Sequence, residues 1–312
     1  ELYIYRRTFW AFVTMSLAFD CFYLFAIAMA YLNNQLPYIF IRSGQAFGNL
    51  YFTINFIRDT AFYLGVFLIF ETNSYSKSTI FVLLIDTFVC IASGDRNILV
   101  VAVLLAINVS AQRKGFIKTV KELFIPLGLV LVAVGLTASL RAAGVGAYFT
   151  SKDGGFRNLY SAILGSLNSN EKYAASMSMY YSLLHNVAPR PLTSFAYLLS
   201  TLVPSAIGIG RPDNIYNYYT SSIGYYGTMG ITLHYATGFY LNSGIVGVLT
   251  GAMGWGTIIL LLSMHSKRMN NSLSRFALSI FCASTVQMIR AGGLESYKSS
   301  IVLNLLVPLV II

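Results

Sequence analysis

Charged residues are scarce in this sequence. Only 10% of the 312 residues are Asp, Glu, Lys or Arg, whereas 56% are hydrophobic. Soluble domains usually carry about 25% charged residues. A water-soluble fold could not cover so much apolar surface, so the composition excludes the ordinary soluble classes and predicts a membrane protein.

Cysteine and histidine are scarce as well, with three of each. Cys21, Cys90 and Cys282 fall in apolar segments and lack the short spacing of metal ligands. The sequence therefore predicts neither a disulfide framework nor a zinc site, and we interpret the cysteines as packing residues. No Asp-x-Asp pair or closely spaced His/Asp set occurs in the loops, so we expect no metal ion and no other cofactor.

Basic residues outnumber acidic ones and give a formal charge of +10. A nucleic-acid binder would cluster its bases on a soluble face beside stacking aromatic residues, whereas here the bases punctuate hydrophobic segments. We therefore expect no nucleic-acid partner. Many of the bases are instead topology signals in a chain surrounded by membrane lipids.

Eight apolar segments are long enough, or nearly so, to cross hydrocarbon as helices. They are 9–31, 51–70, 79–93, 98–111, 123–140, 235–263, 276–289 and 300–312. We find neither an inverted repeat nor a linker, so we predict an all-α, polytopic transmembrane bundle that forms one domain over 1–312. Gly247 and Gly251 have the spacing of closely packed membrane helices. The first segment lacks a cleavage site, so we expect no cleavable signal, and a start at Glu1 suggests a missing N-terminal part.

The connections between these segments fall into two alternating classes. The outward class is predicted to be 33–49, 93–97, 141–234 and 291–298, and it is poor in short-loop bases. The loop 141–234 is long enough to have a function, and its stretches 191–210 and 216–226 predict short helices packed back on the bundle. The positive-inside rule makes the basic class cytoplasmic, and its bases are Arg6, Arg7, Lys77, Arg113, Lys114, Lys118, Lys121, Lys267, Arg268 and Arg275.

Charged residues inside the predicted spans are costly and require a partner or a task. Asp20, Arg58, Asp59 and Asp86 lie in such positions. Two interpretations stay open: these residues pair to fix the helix packing, or they serve transport. We leave them outside the predicted site.

Another group of charges lies at the outward ends of the segments. Arg96 occupies the tip of a hairpin in which Gly94 permits a tight turn. Asp95 and Asn97 are placed to orient its guanidinium. The alternative interpretation of Arg96 is a helix cap whose side chain reaches the interface.

Two further arginines are predicted on the same side as Arg96. Arg290 ends another segment, and Arg211 precedes Pro212 in the large loop. Converging arginines suit a phosphate or pyrophosphate, because the planar guanidinium donates paired hydrogen bonds and stays charged when buried. A lipid pyrophosphate is the natural candidate ligand.

His234 lies where the large loop re-enters the membrane. Its neutral imidazole can take a proton from a sugar hydroxyl near pH 7. His265 falls on the predicted cytoplasmic side, and His185 has no recognisable context. The alternative is that His234 is a structural hydrogen-bonding residue.

Three short motifs stand in order along the chain. They are Ser93-Gly94-Asp95-Arg96-Asn97, the segment from Val203-Pro204 to Arg211-Pro212, and His234 with Tyr240-Leu241-Asn242-Ser243-Gly244-Ile245-Val246-Gly247. In this order, and with a long external loop, the chain resembles the bacterial oligosaccharide repeat-unit polymerases of the O-antigen and exopolysaccharide type, which are related to the O-antigen ligases.

The resemblance implies a metal-independent, inverting glycosyltransferase of the bacterial inner membrane with its site facing the periplasm. Glycans linked to undecaprenyl pyrophosphate are the implied donor and acceptor, and a membrane protein that regulates chain length is an expected partner. Catalysis would fall to Arg96, Arg290 and His234. Binding of pyrophosphate and glycan would fall to Arg211, Asp95, Asn97 and Tyr240.

Gly238 departs from the family pattern, in which an acid often stands a few residues before the glycine. Asp213, Glu171 and Glu295 are unranked candidates for that acid. An O-antigen ligase, a transporter or flippase, and a structural membrane protein stay as alternatives. A set of tyrosines either lines a sugar groove or serves as ordinary interfacial residues: Tyr216, Tyr218, Tyr219, Tyr225 and Tyr226.

Overall fold

The structure is a computed structural model. It describes residues 2–33, 35–42, 51–72, 77–94, 97–125, 128–130, 132–135, 170–202, 213–224 and 233–291. Within these ranges the regular secondary structure is entirely α-helical, which confirms the predicted all-α class.

The helices follow the apolar runs of the sequence. Short helical stretches at 116–125, 128–130 and 132–135 cover part of the predicted segment 123–140, and the predicted segment 300–312 lies outside the described residues. In chain order the helices are α1 (Leu2–Leu32), α2 (Pro37–Arg42), α3 (Tyr51–Thr72), α4 (Lys77–Ser93), α5 (Asn97–Lys114), α6 (Asn170–Leu184), α7 (Thr193–Leu202), α8 (Ile215–Ser222), α9 (Tyr235–Met269) and α10 (Ser272–Ala291).

Three helices within the described ranges are long and apolar enough to cross a membrane. They cover Arg6–Leu32, Asn97–Lys114 and Tyr235–Met269. Helix α4 has 17 residues, which at 1.5 Å per residue falls short of a hydrocarbon core of about 30 Å. Helix α3 contains Arg58, Asp59 and Glu71, which lower its hydropathy. The count of eight crossings stays a prediction.

The chain forms two compact units. Unit 1 consists of Glu1–Asn168, Asn271–Ala283 and Pro308–Ile312, and unit 2 consists of Ser169–Asn270 and Ser284–Val307. Each unit has its own buried core, described separately below. The single transmembrane domain and the external position of 141–234 stay predictions. The described parts of that loop include α6, α7 and α8. Helices α7 and α8 fall in or next to the two stretches in which short helices were predicted, whereas α6 was not predicted.

The core of unit 1 is built around α3. Its residues Leu64 and Phe67 are fully buried, and the ring of Phe67 meets that of Phe276 edge-on at 5.0 Å. A side chain at Gly65 would overlap the ring of Phe9, with a Cβ only 2.7 Å from it, so glycine lets α1 approach α3 closely.

The cysteines divide between core and surface. Cys90 is buried and Cys282 is half-buried, which fits packing residues. Cys21 was predicted to pack as well, but it lies on an exposed face of α1. The apolar context is the same for a helix face that meets lipid as for one that meets protein, so the sequence did not separate the two cases.

Several bases share the end of unit 1 at which α3 terminates. Arg113 donates to the carbonyl oxygens of Phe70, at 3.0 Å, and of Glu71. Arg275 donates to the Glu71 carboxylate through Nε at 3.0 Å and also through its terminal nitrogen. Arg6 lines a cleft with Thr72 at the same end. These three arginines belong to the class predicted to be cytoplasmic.

The core of unit 2 joins α8 to the start of α9. Buried residues of both helices and of the segments before them pack together: Val187, Ile215, Tyr218, Tyr219, Leu233 and Leu241. Tyr218 and Tyr219 are therefore core residues. Burial raises the pKa of Tyr219 to about 12, with Tyr181 and Tyr216 contributing, so its hydroxyl stays protonated. Tyr225 and Tyr226 lie outside the described residues.

Candidate functional site

His234 caps the N-terminus of α9. Its backbone is extended (φ −67°, ψ 146°) and its Nδ1 accepts a hydrogen bond from the Ala236 amide at 3.3 Å. The His234 amide donates to Ser178 Oγ at 3.1 Å. Ser178 Oγ also lies 2.7 Å from Thr237 Oγ1, and both hydroxyls are fully buried. Ser178 of α6 thus holds the backbone of His234 in place.

The cap determines which nitrogen of His234 is available. Because Nδ1 accepts a hydrogen bond, the neutral imidazole carries its proton on Nε2. Burial lowers the pKa of His234 below its usual value, so the ring is neutral at pH 7. In this tautomer Nε2 carries the hydrogen and can donate it to a ligand. A role as general base, as predicted from the sequence, requires the proton to move from Nε2 first.

Helix α9 is broken ten residues after His234. Ser243 (φ −156°, ψ 27°) and Gly244 (φ 62°, ψ −152°) interrupt the helical backbone. Gly244 adopts a positive φ that other residues rarely tolerate. The segment 245–269 is about 37 Å long at 1.5 Å per residue, enough to cross hydrocarbon by itself. The segment 235–242 is thus a separate short helix that carries His234 at its start.

The short segment folds back on the long one. A side chain at Gly247 would overlap the carbonyl oxygen of Phe239, and a Cβ on Gly251 would lie 2.6 Å from the Phe239 ring. In an uninterrupted helix, residues 239 and 251 would stand about 18 Å apart along the axis. The predicted close-packing glycines therefore serve a contact within α9, and they fix the position of the segment that begins at His234.

Asn242 secures the same segment to α7. Its Oδ1 accepts from the Ser194 amide at 2.9 Å, and its Nδ2 donates to Ser194 Oγ at 2.9 Å and to the Gly238 carbonyl at 2.8 Å. Both Asn242 and Ser194 are buried. Each polar atom of the amide is thus satisfied, so this neutral network specifies one geometry.

A cleft of about 250 Å³ lies beside the start of α9. It is lined by Tyr235, Gly251, Ala252, Trp255, Gly256, Thr285 and Ile289. Tyr235 follows His234 in the chain, with ring centroids 4.6 Å apart. Ile289 directly precedes Arg290. The cleft is thus lined by the chain neighbours of two predicted catalytic residues, Tyr235 beside His234 and Ile289 beside Arg290. The side chain of Arg290 lies outside the described atoms.

Other predicted site residues are placed less completely. Arg96, Asp95 and Arg211 lie outside the described residues, as does Glu295. Gly94 follows α4 and has φ +81°, in the left-handed region that favours glycine; the predicted tight turn continues into residues 95 and 96, which lie outside the described residues. Asn97 is the first residue of α5 and is half-buried in unit 1.

The remaining candidates lie in unit 2. Tyr240 is half-buried and packs against the core. Asp213 is exposed just before α8, and Glu171 lies near the start of α6 with an undescribed side chain. Gly238, the departure from the family pattern, donates its amide to the His234 carbonyl at 3.0 Å.

Sequence reasoning missed two residues of this region. Ser178 had no signal, since a serine in an apolar helix usually bonds its own backbone. Arg190 sits in a loop, where its guanidinium stacks 4.0 Å from the Tyr218 ring centre and its amide donates to the Leu241 carbonyl at 2.7 Å. Its side chain is exposed, so it adds a positive charge beside the short segment of α9.

Among the residues that the structure describes, no three His, Cys, Asp or Glu side chains converge as ligands for a metal ion. Metal independence stays a prediction of the resemblance. No family model, no curated protein and no solved structure matches this chain.

Proposed function

We propose that this chain is a membrane glycosyltransferase that polymerises oligosaccharide repeat units linked to undecaprenyl pyrophosphate, by metal-independent inverting transfer. It works on the outer face of the bacterial inner membrane. The observation that carries the proposal is that His234 begins a folded-back helix segment, and that its neighbour Tyr235 lines a cleft together with Ile289, the neighbour of Arg290.

The arrangement around His234 suits a polar reaction at a membrane surface. The histidine begins a helix, and the N-terminal end of a helix favours negative charge. A neutral ring that donates from Nε2 adds a directed hydrogen bond for an anionic ligand. The lining of the cleft is mostly apolar, with Tyr235 and Trp255 among the aromatic residues that are common at membrane interfaces.

The predicted topology supports an outward site. Arg6, Arg113 and Arg275 lie at one end of unit 1, which fits the positive-inside rule for a cytoplasmic end. Helix α4 ends at Ser93 and α5 begins at Asn97, each at the end of its helix opposite to Lys77 and Arg113. Arg96, which stands between Ser93 and Asn97 in the sequence, is therefore proposed to lie on the outer side.

In the proposed reaction the acceptor hydroxyl attacks the anomeric carbon of the donor sugar from the face opposite to the leaving group. The bond from that carbon to the pyrophosphate oxygen breaks, and the growing chain passes to the incoming unit. Arg96, Arg211 and Arg290 stabilise the charge on the departing pyrophosphate. In one form of the reaction His234 donates a hydrogen bond from Nε2 to the departing pyrophosphate, whose oxygen takes up the proton released by the acceptor hydroxyl. In the other form, with its proton on Nδ1, His234 receives the hydroxyl proton on Nε2 and later passes it to solvent.

A reconstituted assay tests the proposal. Purified full-length protein in detergent is supplied with a repeat unit linked to undecaprenyl pyrophosphate, and the products are separated by size. We expect a ladder that persists in a chelator and disappears in Arg96→Ala and His234→Ala. His265→Ala and Arg268→Ala are matched controls, since both residues are exposed at the far end of α9, and they should retain the ladder. A ladder unaffected by both site substitutions would refute the assignment.

Two substitutions separate the roles of His234. Glutamine places an N–H near the position of Nε2 but cannot accept a proton, so His234→Gln retains part of the activity if the histidine acts as a donor. If the histidine is a base, His234→Gln is as inactive as His234→Ala. Single-turnover rates of the three proteins decide between these outcomes.

An O-antigen ligase uses the same donor with a different acceptor. Addition of a lipid A core acceptor to the assay separates the two activities. Transfer of the glycan to that acceptor, with no ladder of products, would show that the protein is a ligase and not a polymerase.

A transporter or flippase is the second candidate, because unit 1 brings Asp20, Arg58 and Asp86 together in its interior. Such charges are typical of ion and substrate pathways in membranes. Movement of the lipid-linked unit across proteoliposomes, with no product ladder, would favour this function.

A further inference from the structure

Unit 1 contains a charged cluster that the proposed transfer reaction does not use. Asp20 lies in the middle of α1 and Asp86 in the middle of α4, and each is 1% exposed. Arg58 of α3 and Ser16 of α1 lie in the same interior and are 0% exposed. Three helices therefore direct ionisable groups into one buried volume.

The two carboxyl groups face each other. They lie within hydrogen-bonding reach, and each feels the charge of Arg58. Ser16 Oγ donates to Asp86 Oδ1 at 3.3 Å. Both oxygens of Asp20 and the Oδ2 of Asp86 are buried and receive no hydrogen bond from any donor in the described part of the protein. Two carboxylate groups cannot bond each other, because neither carries a hydrogen.

The positive charge near the pair is shared with other groups. Arg58 lies 3.4 Å from Asp59 Oδ1, whose side chain is partly exposed. Its guanidinium also stacks 4.6 Å from the ring centre of Tyr23. One guanidinium therefore faces three carboxyl groups, so the buried pair in its ionised form would hold excess negative charge. Adjacent carboxylates in a buried site do not both stay ionised.

We propose that Asp20 and Asp86 together form a proton-binding site in the interior of unit 1. One proton between the two carboxyl groups supplies the missing hydrogen-bond donor. It also leaves a single negative charge opposite Arg58. Among the described residues, Ser16 of α1 and Arg58 of α3 interact with the pair, and Tyr23 of α1 and Asp59 of α3 contact Arg58.

A purely structural role makes a different prediction for this cluster. Ionised groups that only fix the helix packing would hold no exchangeable proton. A protonated carboxyl group has a C=O stretching band, which a carboxylate lacks and which infrared spectroscopy detects directly.

Infrared spectroscopy of the purified full-length protein tests the site. At pH 7 we expect one band from a protonated aspartyl carboxyl, which shifts to lower frequency in deuterium oxide. Asp20→Asn and Asp86→Asn should each abolish the band. Asp59→Asn is the matched control on the partly exposed neighbour, and it should retain the band. Ser16→Ala should shift it to higher frequency, because one hydrogen bond to Asp86 is lost.

Proton release on unfolding is a second measurement of the same proton that does not depend on the infrared spectra. Unfolded aspartates are ionised at pH 7, so unfolding of the wild type in weakly buffered detergent should release one proton more than unfolding of either Asn variant. Absence of the band in the wild type, or its persistence in both Asn variants, would overturn the proposal.

Discussion

The two units place polar groups in their interiors in different ways. Unit 1 buries ionisable side chains, with Asp20, Asp86 and Arg58 in one cluster and Glu71 paired to Arg275 in another. Unit 2 fixes its short helix segment with neutral groups, chiefly the hydroxyl of Ser178 and the amide of Asn242.

The difference shows how each interior responds to its surroundings. A neutral network with every atom satisfied holds one geometry at any pH, which suits the backbone that carries the proposed catalytic residue His234. Buried charges cost more and respond to proton concentration, which suits a site that binds and releases an ion. The hydrogen bonds that hold the short segment of unit 2 therefore do not depend on pH, whereas the buried cluster of unit 1 consists of groups that can change their charge.

The Glu71–Arg275 pair gives the largest expected effect. The Glu71 side chain is 4% exposed, and its carboxylate accepts hydrogen bonds from Arg275 and Ser272. Glu71→Ala removes this acceptor. Loss of one partner from a buried pair costs about 3 kcal/mol or more. Thermal unfolding in detergent measures the loss. Glu122→Ala is the control: it breaks a pair with Lys114 that lies in solvent, and it should leave the midpoint unchanged. If Glu71→Ala and Glu122→Ala have the same unfolding midpoint, unit 1 does not depend on its buried charges, and the contrast with the neutral network of unit 2 is lost.

The fold-back of α9 gives the next effect. Gly247→Ala places a methyl group against the Phe239 carbonyl, which is backbone and cannot swing aside. We expect a loss of about 2–3 kcal/mol, at the upper end of the cost of overpacking, together with lost transferase activity. Gly254→Ala is matched, since its Cβ would meet open space in the same helix. If the Gly247 variant is as stable and active as the Gly254 variant, the fold-back does not position the site.

The neutral network of unit 2 gives a smaller effect. Asn242→Ala removes three hydrogen bonds and leaves the Ser194 amide buried without its acceptor. The expected loss is about 1–2 kcal/mol. Asn217→Ala, on the exposed face of α8, should leave the unfolding midpoint unchanged. A cost for Asn242→Ala that changes between pH 5 and pH 8 would contradict a network without titratable groups.

His234 is a titratable residue at the start of the same helix segment, and it gives the smallest effect on stability. Burial lowers the pKa of His234 below 6.5 in the folded protein, so the unfolded chain binds its proton first as the pH falls. The stability is complete above 6.5 and decreases as the pH falls through the lowered folded value. His234→Asn retains a capping acceptor and has no such group. The difference in midpoint between wild type and His234→Asn should therefore fall as the solution becomes more acidic than pH 6.5, and a constant difference would contradict the shift.

The sequence predicted the helices better than their contacts. Apolar runs located α1, α3, α4, α5 and α10, because hydrophobic length alone determines such segments. The break at Ser243 was not predicted, since a serine and a glycine are ordinary inside a membrane helix. The glycine spacing was interpreted as packing between helices, whereas Gly247 and Gly251 contact Phe239 of the same helix.

The site was predicted in part for a related reason. His234 stands out as a lone histidine at a loop boundary, and the structure places it at the cap of α9. Its tautomer depends on the Ala236 amide, and its support depends on Ser178, a residue with no pattern in the sequence. The meeting of Asp20 and Asp86 could not be predicted either, because it depends on how α1 and α4 face each other.

The most direct test of the account is the rate of ladder formation by His234→Asn, in protein shown to retain the wild-type unfolding midpoint at pH 8. Asparagine keeps the helix cap and removes Nε2, so we predict a rate at least about 100-fold below the wild type, as expected when a residue that transfers or donates a proton is lost. A folded His234→Asn protein that forms the ladder within about twofold of the wild-type rate would contradict the central claim that His234 acts in the transfer.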